Sequence, residues 1–433
     1  MSDFKRILLV GTGPASVQLA LNMKKNRNCY IGMAGRRSVR SEDFFSSLIE
    51  NDHLIRVSVQ NEKHRSMEGE TSVDQVFYGY ETIQGKWDTI ILAVTTDAYV
   101  EVMKKIANKV LQQVSCIVLI SPTFGSNSLI RNYMKPINSN TEIISFSTYL
   151  GDTRWMHGSP AHHVLTTAVK KKVSIGTTHF PSKSVDFLRE RYEQFGLSLE
   201  VMNSPIEAET RNSSLYVHPA LFMNDFSLNA IFDGAEAKKY VYKLYPEGPI
   251  TQYLMRDMLA QWKELMNVLK KLDIKSINLL QFMVDDNYPI RKESLSRHDI
   301  ENFEQFDKIH QEYLLYIRYT SLLIDPFSEP DPNGRYFDFS AVPIRKIFVN
   351  REGELDIPRM PKEDYYRLKI IQGIAKHLKS DCPTIDKLIR AYESKINEAA
   401  KSHKNEKLSN AFAVQSFEED LNMICSELGR INV

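Results

Sequence analysis

Between Lys5 and about residue 200, short apolar runs alternate with stretches of helical periodicity, and beyond about Pro205 the runs give way to long amphipathic patterns. Alternation of the first kind predicts a parallel sheet with helices on both faces. The expected strands are Ile7–Val10, Tyr30–Ala34, Ile55–Val59, Thr89–Val94, Cys116–Ile120 and Glu142–Phe146, followed by a hairpin over Val164–Thr177 and a covering helix over Val185–Phe195. Further on, Leu254, Met258, Trp262, Leu265, Met266, Leu269 and Leu272 recur at three and four residues, the spacing of a helix with one core-facing stripe. A second helix is expected over Phe303–Ile324, with Phe306, Ile309, Tyr313, Leu314 and Ile317 on one face. Asp325–Pro343, rich in Pro, Asp and Gly, breaks that helix and reads as a long ordered loop, after which helices resume from Lys362.

The first strand runs into Gly11-Thr12-Gly13-Pro14-Ala15-Ser16 and then into a helical pattern. Glycines there permit a sharp turn and bring backbone N–H groups up to a pyrophosphate at a helix N-terminus. The end of the second strand selects the nucleotide, because an acidic residue at that place holds the ribose 2'-hydroxyl of NAD. Here it reads Ala34-Gly35-Arg36-Arg37-Ser38, and an arginine forks onto a 2'-phosphate, so the expected cofactor is NADPH. Thr95 and Ser121 follow later strands, at the carboxyl edge where such sheets bind ligands, and are expected to border the cofactor. The expected fold is therefore α/β: a Rossmann-like parallel-sheet domain over residues 1–204 and a mostly α-helical domain over 205–433.

Composition narrows the function. In 433 residues, 42% apolar and 25% charged, a formal charge of +1 argues against a polyanion partner such as nucleic acid. Four scattered cysteines form no framework and read as reduced thiols in the cytoplasm. No apolar run reaches the length of a signal peptide or membrane span, so no membrane association is expected. The eleven histidines fall in no metal-spaced motif, so no metal is expected. His218 stands apart because it lies where strands give way to helices, and domain junctions are where substrates bind. Pro219 is expected to hold its backbone extended. On spacing alone His218 reads as a packed or capping residue sooner than as a catalytic one.

The strings SPTFGS at 121–126, FSTYLGDTR at 146–154, AETRNSSLYVHPALFMNDFSL at 208–228, YVYKLYPEGPIT at 240–251, IDPFSEPDPNGRYFDFSAVP at 324–343 and IPRMPKEDYYR at 357–367 carry a resemblance through nearly the whole chain. It resembles the opine dehydrogenases, and among them the staphylopine-type opine metallophore dehydrogenases. The resemblance implies NADPH-dependent reductive condensation of a histidine-derived aminobutanoate with a 2-oxo acid, through an imine, by a homodimer. Its catalytic histidine falls on His218, and its partner aspartate is assigned to Asp325, with Asp225 and Asp285 as rivals. A helix-terminating turn explains Asp325 equally well.

The 2'-phosphate arginine of the family falls on Arg36, with Arg37 or Arg40 as second contacts, and its phosphate turn on Gly11, Thr12, Gly13, Pro14 and Ala15. Asp152 matches a position that governs the oxo acid. A second carboxylate on the substrate about 4 Å from it is repelled by about 4 kcal/mol at an effective dielectric near 20, roughly a thousandfold in affinity. Pyruvate, lacking that group, is the expected oxo acid, although Gly151-Asp152 also reads as a simple turn. Arg154 and Tyr240 are the expected substrate contacts. The rivals to this reading are a reductase of a simple 2-oxo acid or phosphorylated ketone, and a non-catalytic NADPH-binding sensor.

Overall fold

The computed structural model of the protein describes residues 4–234, 237–286, 289–323, 330–335, 338 and 340–428. The chain forms two compact units, Met1–Asn212 with Glu419–Val433, and Ser213–Glu418.

The first unit opens with β1 (Arg6–Val10), α1 (Pro14–Lys24), β2 (Tyr30–Gly35), α2 (Val39–Glu50), β3 (Leu54–Val59), β4 (Gly69–Ser72) and β5 (Gln75–Tyr78). It continues through β6 (Thr89–Leu92), α3 (Tyr99–Lys105), α4 (Asn108–Leu111), β7 (Cys116–Leu119), α5 (Ser126–Met134) and β8 (Glu142–Phe146). Then follow β9 (Gly151–Trp155), β10 (His163–Val169), β11 (Lys172–Thr177), α6 (Lys183–Glu193), β12 (Ser198–Val201) and α7 (Pro205–Thr210). An eight-stranded sheet has the order β12-β11-β8-β7-β6-β1-β2-β5, parallel except where β11 meets β8. Its central strands are buried along their whole length, as a sheet covered on both faces requires.

Two expectations are corrected here. Ile55–Val59 is a strand, but it lies in a separate four-stranded sheet, β4-β3-β10-β9, that packs over α1. Val164–Thr177 is not a hairpin: β10 pairs with β3 and β9, whereas β11 pairs with β8 and β12. The two strands are consecutive in sequence, and each lies between two others in a different sheet.

The second unit contains α8 (Ser214–Phe222), α9 (Asp225–Phe232), α10 (Gln252–Lys271), α11 (Leu279–Asp285), α12 (Arg297–Glu301) and α13 (Lys308–Thr320). A short ladder of β13 (Phe348–Val349) and β14 (Leu355–Asp356) precedes α14 (Arg359–His377) and α15 (Pro383–Ser402). Of the stripe expected on α10, Leu254, Met258, Trp262, Leu265 and Leu269 are buried, Met266 is half-buried, and Leu272 follows the last helical residue. On α13 the expected face is wrong, since Ile309 is 79% and Tyr313 60% exposed. Asp307 caps this helix by accepting the His310 N–H, and the buried side is Gln311, Leu314, Leu315, Arg318 and Tyr319.

The units divide after Asn212, not at the shift in pattern near 204, because α7 packs on β8 and β11. The final helix, α16 (Glu418–Leu428), joins the first unit, where the sequence expectation had kept it with the helical one. Among the described residues no helix is long and apolar enough to cross a membrane.

Candidate active site

The strands β8, β7, β6, β1 and β2 point their carboxyl ends the same way, and the turns that follow them form one edge of the first unit. Gly11 begins the first of these turns at φ +128°, where a Cβ would stand 2.5 Å from the Ala93 carbonyl oxygen. Only glycine fits. Its N–H donates to the Ala34 carbonyl at 2.8 Å, which ties the turn to the end of β2. A Cβ at Gly13 would meet nothing within 4 Å, so the backbone there is open to a ligand. Gly13 caps α1 without a side-chain hydrogen bond, Pro14 follows at the first helical position, and the first turn carries no acid. That leaves a helix N-terminus whose own first turn brings no competing anion, suited to a pyrophosphate. Ser16, in place of a third glycine, is fully buried 3.3 Å from the space beside Gly11, and its hydroxyl has no hydrogen-bond partner among the described residues.

At the end of β2, Arg36 and Arg37 are exposed, and Ser38 caps α2 by accepting the Ser41 N–H. The Thr12 and Ser41 hydroxyls lie 3.3 Å apart, which joins the two turns. Arg36, Arg37, Ser38 and Ser41 thus form a cationic, donor-rich corner suited to a 2'-phosphate. The Arg40 side chain lies outside the described residues. Thr95 starts a short helical turn after β6, and the next residue, Thr96, donates its hydroxyl to the Ser121 carbonyl at 3.2 Å, which joins the loops after β6 and β7. These residues together fit a phosphorylated dinucleotide.

Glu209, on α7, closes the same edge. It is fully buried and accepts from the Gly125 and Asn127 N–H groups at 2.9 and 2.7 Å, from Asn127 Nδ2 at 3.0 Å and from the Ser145 hydroxyl at 2.8 Å. It fixes the loop after β7 at the start of α5. Burial pushes its pKa up to about 7 even though the four donors favour the charged form.

Asp152 and Arg154 sit two apart on β9, on one exposed face. Asp152 Oδ2 accepts the Thr167 hydroxyl at 2.8 Å. The neighbouring residues hold this sheet to α1 by a chain whose polarity is fixed. Gln18 Nε2 donates to the Met67 carbonyl at 3.2 Å and to Asn22 Oδ1 at 2.7 Å, so Oε1 accepts the Thr166 hydroxyl at 2.5 Å. Thr166 then accepts from Thr153 at 2.9 Å, and Thr153 from the Tyr149 hydroxyl at 2.8 Å.

In the second unit His218 lies within α8, with Pro219 inside the helix, so the extended backbone expected for it is corrected. A proline there removes the bond to the Leu215 carbonyl. Gln261 of α10 supplies the missing donor, its Nε2 reaching that carbonyl at 2.8 Å. The helix pays for its proline with a glutamine from a neighbour. Packing of α8 on α14 brings His218 Nδ1 to 4.0 Å from Oδ1 of Asp364, a fully buried carboxylate that also accepts from Arg367 Nη1. His218 Nδ1 and Asp364 Oδ2 have no hydrogen-bond partner among the described residues. Burial, then the charges of Arg367 and Arg359, push the imidazole down to about 3, and burial pushes Asp364 up to about 7.

Asp364 was missed in the sequence, and Asp325, assigned as the partner, lies outside the described residues. Of the rivals, Asp285 is bound by both Nη atoms of Arg297 at 2.8 and 2.9 Å, and Asp225 is exposed at the start of α9. Tyr240 bridges to Pro343, with Lys238 and Lys243 5.6 and 6.0 Å from its ring. Among the described residues no group of three or more His, Cys, Asp or Glu is placed to hold a metal ion.

The staphylopine dehydrogenase profile matches residues 5–428. The chain belongs to this family. It is 46% identical over 417 residues to staphylopine synthase of Staphylococcus aureus, covering 96% of each chain. It is 32% identical over 391 residues to pseudopaline synthase of Pseudomonas aeruginosa, covering 90% of each. Among solved structures it is similar to yersinopine dehydrogenase with NADP+ bound, at a TM-score of 0.92 and 25% identity, covering 99% of this chain and 100% of that one. Octopine dehydrogenase with NADH and L-arginine, at 16% identity and a TM-score of 0.59, shares the fold.

Proposed function

We propose that this staphylopine dehydrogenase family member is an NADPH-dependent opine metallophore synthase acting on a CH–NH bond. It condenses a histidine-derived aminobutanoate with pyruvate. The amine attacks the ketone, water leaves to give an imine, and reduction gives a secondary amine. NADPH, when bound, supplies the hydride.

Gly11, Thr12, Gly13, Pro14 and Ala15 bind the pyrophosphate, Arg36 and Arg37 the 2'-phosphate, and Thr95 and Ser121 flank the dinucleotide. His218 handles the protons. The observation that carries the reading is its imidazole, 18% exposed, with Nδ1 4.0 Å from the buried carboxylate of Asp364. With Nδ1 turned to that carboxylate, Nε2 is the nitrogen left to take a proton from the substrate ammonium and to return one as water departs. Asp364 orients the ring and stabilises the imidazolium when it forms. Asp152 repels a second carboxylate, and Arg154 and Tyr240 contact substrate. Homodimeric assembly, carried by the family resemblance, and a cytoplasmic location, carried by the scattered thiols, complete the proposal.

The test is NADPH oxidation by purified protein, with pyruvate and 2-oxoglutarate crossed against histidine-derived amines and the product identified by mass. Amine-dependent turnover with pyruvate is expected, falling about a hundredfold or more in His218→Ala. Asp152→Ala is expected to admit 2-oxoglutarate. Oxidation with an oxo acid alone identifies a simple reductase, and binding without turnover identifies a sensor; either result overturns the proposal.

A further inference from the structure

Two loops of the first unit meet at the end of β2. The Gly79 N–H donates to the Gly35 carbonyl at 2.8 Å, which holds the turn after β5 against the turn after β2. The buried Tyr80 ring lies close enough to Arg36 for the charge and backbone N–H of Arg36 to favour its ionised form. Arg37 Nε lies 2.8 Å from Glu81 Oε1, both side chains being more than half exposed. Gly79 has φ +107°, and a Cβ on it would stand 2.4 Å from Glu81 Oε1 and 2.9 Å from Arg37 Nε. The ion pair therefore fills space that any other residue at 79 would take. An acid has been built into the corner where a phosphate dianion is expected to bind.

We propose that Glu81 is a specificity-determining residue: its carboxylate competes with the 2'-phosphate for Arg37 and so holds down the preference for the phosphorylated dinucleotide over the unphosphorylated one. The inference rests on the reading of Arg36 and Arg37 as the 2'-phosphate site. A phosphate entering this corner must take Arg37 from Glu81 or share it, and it meets a like charge as it does so. A ribose bearing a free 2'-hydroxyl brings no charge to that contest, and a carboxylate at this place accepts its hydrogen bond. Arg36 has the opposite part. Its side chain is exposed, and its guanidinium attracts the dianion.

The test is calorimetric titration of the protein with 2',5'-ADP, 5'-AMP, NADP+ and NAD+, which reads binding without turnover. For an exposed ion pair, removing the competing charge in Glu81→Gln is expected to tighten 2',5'-ADP and NADP+ about two- to fivefold. 5'-AMP and NAD+ are expected to bind no tighter. The gain is expected to vanish in an Arg37→Ala background. If Glu81→Gln leaves 2',5'-ADP binding unchanged or weaker while Arg36→Ala weakens it, the role of Glu81 is refuted and the phosphate site stands. If Arg36→Ala and Arg37→Ala both leave 2',5'-ADP binding unchanged, the phosphate site is elsewhere and the inference falls with it.

Discussion

Asp364 occupies a buried line on α14 with Pro361, Leu368, Ile371 and, one turn on, Ala375. A carboxylate on such a stripe is costly unless a partner meets it, and here Arg367 does, with His218 Nδ1 4.0 Å away. That misfit was the signal that the sequence carried: a charged residue at a core spacing in a helix. It went unread because a partner for His218 was sought where the resemblance placed one, at Asp325. The glycine turn was legible for the opposite reason, since its geometry is local to a few consecutive residues. Because Asp364 gains its charge only as pH rises through about 7, turnover that depends on it should rise over the same range. In Asp364→Asn, kcat is expected to fall about tenfold to a thousandfold, and the limb near pH 7 in a profile taken from pH 5.5 to 9 should disappear. A limb that survives the substitution assigns it to another group.

At the scale of elements, the apolar runs located the central strands because a strand buried on both faces is apolar throughout. They did not say which sheet a strand joins. β10 and β11 show why: pairing is a long-range choice of edge, invisible to periodicity. Pro219 misled for a related reason, because its compensating donor lies on α10, far along the chain. Replacing Gln261 by Leu leaves the buried Leu215 carbonyl without that donor. The cost is expected to be about 1–3 kcal/mol, read as a lower denaturant midpoint. The shift of the helix that bears His218 is expected to lower kcat at the same time. An unchanged midpoint would mean that α8 holds its proline without help.

For the whole molecule, the pattern showed the passage from alternating runs to helices but not the return of α16 to the first unit. Nothing in an amphipathic stripe names the surface that it covers. Ile424 and Leu428 are buried, Lys104 meets Glu419 at 2.7 Å, Asn132 donates to Ser426 at 2.7 Å, and Arg131 and Lys135 lie 3.6 and 3.8 Å from Glu427. Ending the chain at residue 418 is expected to remove about 3–6 kcal/mol of burial from the first unit. A lower melting temperature and faster proteolysis of the sheet domain should report it, and unchanged melting would show that the helix is dispensable. Since the helical unit is threaded between the two segments of the sheet unit, synthesis on the ribosome imposes an order on assembly. The nucleotide half is translated first, yet it stays one helix short until residues 419–428 have emerged. A nascent chain stalled anywhere within the helical unit therefore carries an unfinished dinucleotide fold, exposed to chaperones and proteases for as long as the stall lasts.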